Sequence, residues 1–87
     1  MKQNYKILVD NRVIKELSKI PANDAKRIIQ TIESLSENPR PQKAIKLINQ
    51  PGWRIRKGVY RILYEIDDNK KIITVYRAGH RREIYRK

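Results

Sequence analysis

Trp53-Arg54-Ile55-Arg56-Lys57-Gly58-Val59-Tyr60-Arg61-Ile62-Leu63-Tyr64-Glu65-Ile66 is two strands joined at a glycine. β-Branched and aromatic residues alternate with charged ones in the first half and dominate the second, and Gly58 sits where the chain must reverse. Pro51-Gly52 closes whatever precedes Trp53 as a turn. Period-two alternation puts Arg54 and Arg56 on one face of the first strand, and the Gly58 turn brings Arg61 alongside them. Tyr60, Ile62 and Tyr64 then share the opposite face and belong mainly to the core, with Trp53 as a packing anchor at the sheet edge.

Downstream, Asp67-Asp68-Asn69-Lys70 forms a second turn and Lys71–Arg77 a third strand, which completes an antiparallel meander. Residues 79–87 read as a tail, with one helical turn at most. Upstream, Tyr5-Lys6-Ile7-Leu8-Val9 is rich in strand formers, and Asp10-Asn11 can cap a helix. Val13, Ile14, Leu17 and Ile20 recur at helical spacing until Pro21 interrupts them. Asn23 or Asp24 can start a second helix, whose stripe is Ala25, Ile28, Ile29, Ile32 and Leu35 and whose end lies near Asn38-Pro39. Arg40 to Gly52 is expected to be a loop packed on the core. The fold class is therefore α+β: an N-terminal strand, a two-helix hairpin and a three-stranded meander, forming one twisted sheet covered by helices on one face. The other face is expected to be free and to carry arginines and tyrosines.

Eighty-seven residues suit a single domain spanning 1–87. With no cysteine and one histidine, the chain has neither disulfides nor thiolate nucleophiles nor a structural zinc site, and no metal or cofactor is expected. No apolar run approaches 18 residues and no signal peptide opens the sequence, so a cytoplasmic location is expected, without a membrane partner.

The formal charge of +12 is a standing self-repulsion that a polyanion would relieve. It concentrates toward the C-terminus: residues 53–87 carry a net +7 and residues 1–52 a net +5. Arginine dominates the later part, and its planar fork suits phosphate better than solvation alone requires. One exposed arginine usually just faces water. Arg54, Arg56 and Arg61 together crowd three like charges, an arrangement that suits a visiting phosphate better than a structural device. Just beyond, His80 is the one imidazole available for proton transfer near neutral pH, Arg81 adds a cation, and Tyr85 can stack on a base or donate a hydrogen bond. Taken singly, His80 and Tyr85 are equally at home as surface and packing residues.

The stretch 53–66, followed by Gly79-His80-Arg81-Arg82-Glu83-Ile84-Tyr85, resembles the C-terminal signature of the RelE/ParE toxin superfamily, and the strand–helix–helix–meander order agrees with it. The RelE-type resemblance implies a toxin neutralised by an acidic, RelB-like antitoxin and acting on messenger RNA in the ribosome. It further implies endoribonuclease chemistry in which a ribose 2′-hydroxyl attacks its own 3′-phosphate, leaving 2′,3′-cyclic phosphate and 5′-hydroxyl ends. Carried onto this chain, it assigns Arg61 and Arg81 to the phosphate, Arg54 and Arg56 to flanking stabilisation, Tyr85 to stacking or hydrogen bonding, and His80 to acid/base work. Some relatives carry lysines where Arg54 and Arg56 stand; arginine is a poor general base, so proton abstraction lacks an owner. Two alternatives are a ParE-like toxin that inhibits DNA gyrase without cutting, and a plain basic nucleic-acid-binding domain.

Overall fold

The computed structural model describes residues 4–80. The chain runs β1 (Lys6–Val9), α1 (Asn11–Ser18), α2 (Ala22–Ser34), β2 (Ile45–Lys46), β3 (Trp53–Lys57), β4 (Tyr60–Asp67) and β5 (Ile72–His80). These strands form one sheet in the order β1-β5-β4-β3-β2. The meander is antiparallel as expected, and β1 joins the free edge of β5 in parallel. The α+β class therefore stands, in a five-stranded sheet.

Asp10 caps α1 as its sequence position suggests, its carboxylate accepting from the Arg12 N–H at 2.8 Å. The second helix starts earlier than expected. Pro21, with φ fixed near −52°, occupies the N-cap position, so Asn23 and Asp24 fall inside the first turn. That helix ends at Ser34, short of Asn38-Pro39, and its end is tied back to the first strand: Tyr5 N–H donates to the Ser36 carbonyl at 2.9 Å, and Ser36 Oγ donates to the Tyr5 carbonyl at 2.7 Å.

Val13 from α1, Ile28 and Ile32 from α2, and Leu35 pack onto Ile55, Ile62, Tyr64, Ile73, Val75 and Ala78 of the sheet, all buried. Tyr64 is fully enclosed, and its hydroxyl donates to the Pro39 carbonyl at 2.7 Å. Tyr60 and Trp53 flank the same core. Period-two reading thus assigns the inner face of the β3–β4 hairpin correctly.

Two further expectations fail. The segment from Arg40 to Gly52 is not all loop: Ile45 and Lys46 pair with Arg54 and Trp53 as an edge strand. Two residues carry no periodicity, so only the neighbouring strand reveals them. The last strand also outruns its expected end at Arg77. Gly79 and His80 are strand residues paired with Arg61 and Tyr60, not the start of a tail.

A β-bulge in that strand decides which way its end faces. Leu63 pairs with Arg77 and Tyr64 with Val75, so Tyr76 is an extra residue on β5. Beyond it the alternation is inverted: Ala78 and His80 join the core face with Val75, while Arg77 and Gly79 lie on the outer face with Leu63 and Arg61.

Candidate functional site

Arg56 and Arg61 pair directly across β3 and β4, and Arg54 lies two residues from Arg56 opposite Leu63. Strand pleating therefore puts the three guanidiniums on one outer face, as the sequence predicts. Their exposure differs sharply. Arg56 is exposed, Arg54 half-buried and Arg61 only 6% exposed. The expectation of a wholly free outer face is thus corrected, since Leu63 is buried there as well. Next to Arg61 on β5 stands Gly79, which offers no side chain to compete for the space.

A buried guanidinium keeps its charge, because arginine does not deprotonate in proteins. Its field is little diluted by water, so it acts strongly on any anion brought against it. Along β4 the outer face changes sign: Glu65 and Asp67 continue the row from Arg61 and Leu63. Four residues of strand separate Arg61 from Glu65 by roughly 13 Å, beyond the ~8 Å screening length of physiological salt. The basic end therefore attracts anions with little interference from the acidic end. Tyr76 reaches over this acidic side, where burial, with Glu65 nearby, raises its hydroxyl pKa.

Arg77 also lies on the outer face by register, but it is committed elsewhere. Its Nε donates to Glu16 Oε2 on α1 at 2.7 Å, and the Ala78 N–H donates to Glu16 Oε1 at 2.9 Å. That N–H sits on the edge of β5 that β1 does not reach, so Glu16 satisfies a donor that would otherwise need a further strand. Nothing in the sequence singles out Glu16.

His80 is not with the arginines. It pairs with Tyr60 on the helix-covered face, and the two rings meet edge to face with centroids 6.3 Å apart. Together with Glu16, Lys19, Ile20 and Pro21 they line a cavity of about 310 Å³ between the helical hairpin and the end of β5. Tyr60 cannot serve as a ready base there: its hydroxyl donates to Asp24 at 2.9 Å, and that hydrogen bond raises its pKa. The expected gathering of His80 with Arg54, Arg56 and Arg61 is therefore corrected, and the bulge at Tyr76 is the reason. Arg81 and Tyr85 lie outside the described residues.

The described residues contain no group of His, Cys, Asp and Glu able to hold a metal ion. None of their helices is long and apolar enough to cross a membrane.

Residues 7–85 match the family described as the ParE toxin of type II toxin–antitoxin systems, parDE. The toxin RelG of Mycobacterium tuberculosis is 28% identical over 85 residues, covering 95% of this chain and 98% of that protein. The toxin–antitoxin complex RelBE2 of the same organism contains a chain that superposes with a TM-score of 0.80 at 24% identity, over 91% of this chain and 93% of that one. The archaeal RelE–RelB complex of Pyrococcus horikoshii gives the same TM-score at 25% identity, over 91% and 97%.

Proposed function

Because the chain belongs to the ParE toxin family of type II toxin–antitoxin systems, within the RelE/ParE superfamily, we propose that it is an endoribonuclease that cuts messenger RNA on the ribosome. The observation that carries this reading is Arg56 opposite a buried Arg61 on the outer face of the sheet. Transesterification by a 2′-hydroxyl needs an in-line approach and neutralisation of the charge that grows on the phosphorane oxygens. Arg61 is assigned to the phosphate together with Arg81, Arg54 and Arg56 to flanking stabilisation, and Tyr85 to a base or sugar. The products are a 2′,3′-cyclic phosphate and a 5′-hydroxyl.

His80 enters this proposal as a support of the strand end and not as the acid or base, since its ring faces Tyr60. Arginine is too weak an acid to shuttle protons at neutral pH. In this proposal proton transfer is left to the ribosome and to a message bent into line, with cutting ribosome-dependent and cytoplasmic.

A partner follows from the relatives. The solved Mycobacterium tuberculosis and Pyrococcus horikoshii relatives are toxin–antitoxin complexes, and we propose a cognate RelB-like antitoxin, acidic enough to meet a +12 chain. Ile14 and Ile29, 57% and 42% exposed on the two helices, offer such a partner apolar anchors.

The test is a cell-free translation reaction with message ends mapped with and without ribosomes, for the native chain and Arg61→Ala. Ribosome-dependent cuts carrying cyclic phosphate, lost in the variant, are expected. A second reading is favoured by the name of the matching family: inhibition of DNA gyrase without cutting. Intact message with arrested supercoiling would replace the first reading by that one.

A further inference from the structure

The basic character of the molecule does not stop at the outer face. Beside the Gly58 turn lies a concavity of about 390 Å³ lined by Asp24 and Arg27 of α2, Lys43 of the α2–β2 connection, Arg56 and Lys57 at the end of β3, and Tyr60. Four cations face it against one carboxylate. That carboxylate is already engaged, with Oδ2 accepting from the Tyr60 hydroxyl at 2.9 Å and Oδ1 lying 3.9 Å from Arg27. The cation excess is therefore what a visitor meets. Gly58 leaves the rim open: it holds φ +61°, and a Cβ placed on it would have no neighbour within 4 Å.

The cavity is continuous with the arginine face, because Arg56 belongs to both. It lines this concavity and stands opposite Arg61 in the sheet. Lys57, Lys43 and Arg27 line the same concavity as Arg56, so a phosphate chain laid across Arg61 and Arg56 can continue onto a basic surface.

We propose that this concavity is a second phosphate-binding track, which holds the RNA backbone adjoining the segment engaged by Arg61. The proposal deepens the RNA-cutting reading and rests on it for the identity of the strand. The track supplies affinity and direction, while the chemistry stays on the outer face. An acidic peptide is the competing occupant, but the sharing of Arg56 with the face assigned to RNA favours the nucleic acid.

The test measures binding of a fluorescein-labelled 20-nucleotide single-stranded RNA to the full chain across a salt series. Arg27→Ser/Lys43→Ser is compared with the native chain and with Lys15→Ser/Lys70→Ser, which removes the same charge from α1 and the far turn. Each phosphate contact contributes about 0.7 to the slope of log Kobs against log salt, so the cavity variant should lose about 1.4 and the control pair none. A slope unchanged in the cavity variant, or lowered equally in both variants, overturns the proposal. So does weakened binding of a glutamate-rich 15-residue peptide with an unaltered RNA slope, which would give the cavity to an acidic protein partner. Because the readout is binding, a chain that loses slope but cuts no message leaves the track standing and sinks the nuclease reading alone.

Discussion

Glu16 and Arg77, sixty-one residues apart in the chain, meet at 2.7 Å with both side chains mostly buried, and the same carboxylate caps the Ala78 N–H. α1 is thereby latched to the part of β5 that β1 does not reach. Glu16→Ala leaves the Arg77 guanidinium and the Ala78 N–H without that acceptor and should cost about 2–3 kcal/mol, whereas Glu16→Gln, which keeps an acceptor but not the charge, should cost about 1 kcal/mol. Urea denaturation of the two variants checks this, and an alanine variant within 0.5 kcal/mol of the native chain would refute it.

Arg56 opposite Arg61 is an arrangement that function tolerates and the fold does not favour. Arg56→Gln is expected to stabilise the protein by roughly 0.2–1 kcal/mol while weakening RNA cutting. For Arg61→Lys, charge survives but the fork does not, and a loss of about 10²-fold or more in cutting rate is expected, the scale of removing one donor from a charge-stabilising site. Thermal melts and message-end mapping on the same preparations read both effects. A destabilised Arg56→Gln would contradict the like-charge argument.

Gly52 has φ +113°, and a Cβ there would lie 2.9 Å from the Tyr76 hydroxyl oxygen and 3.0 Å from the Tyr64 carbonyl oxygen. Gly52→Ala should therefore destabilise by about 1–3 kcal/mol from backbone strain, with the contact adding to it. Tyr76→Phe in the same chain removes only one of the two oxygens, so it should restore part of the loss; complete restoration would mean that neither the backbone nor Tyr64 matters.

Burial pushes the Tyr64 hydroxyl up to about 12. A group whose neutral form is favoured in the folded state contributes stability that is full below its unfolded value near 10 and is lost as pH rises through the folded value. Stability should thus decline between about pH 10 and 12, and Tyr64→Phe should flatten that part of the decline. Asp68 behaves oppositely: its hydrogen bonds from Arg40, and then from Tyr5, hold its carboxyl below the usual range. Its contribution is present above the ordinary carboxylate value and is lost as pH falls through its lowered one. Asp68→Asn should make acid unfolding less steep, as followed by Trp53 fluorescence.

Much of the molecule was legible in its residues. The alternation in 53–66 and the Gly58 turn determine the hairpin, and with it the placement of Arg54, Arg56 and Arg61 on one face, because side-chain direction in a regular strand follows from spacing alone. Of the stripe Ala25, Ile28, Ile29, Ile32 and Leu35, Ile28, Ile32 and Leu35 are buried, whereas Ile29 at the stripe's margin stays 42% exposed. Other features depended on what lies alongside. The edge strand Ile45–Lys46 exists through its pairing with β3, and the reach of β5 to His80 through its pairing with β4. Glu16 became important only when α1 met the edge of β5. Most consequential was one extra residue, Tyr76. Spacing alone would carry His80 to the face opposite Val75, among the arginines, but the bulge inverts the alternation and turns it toward Tyr60. A bulge is fixed by how two strands accommodate each other, and that is a property of the assembled sheet, not of either strand's sequence.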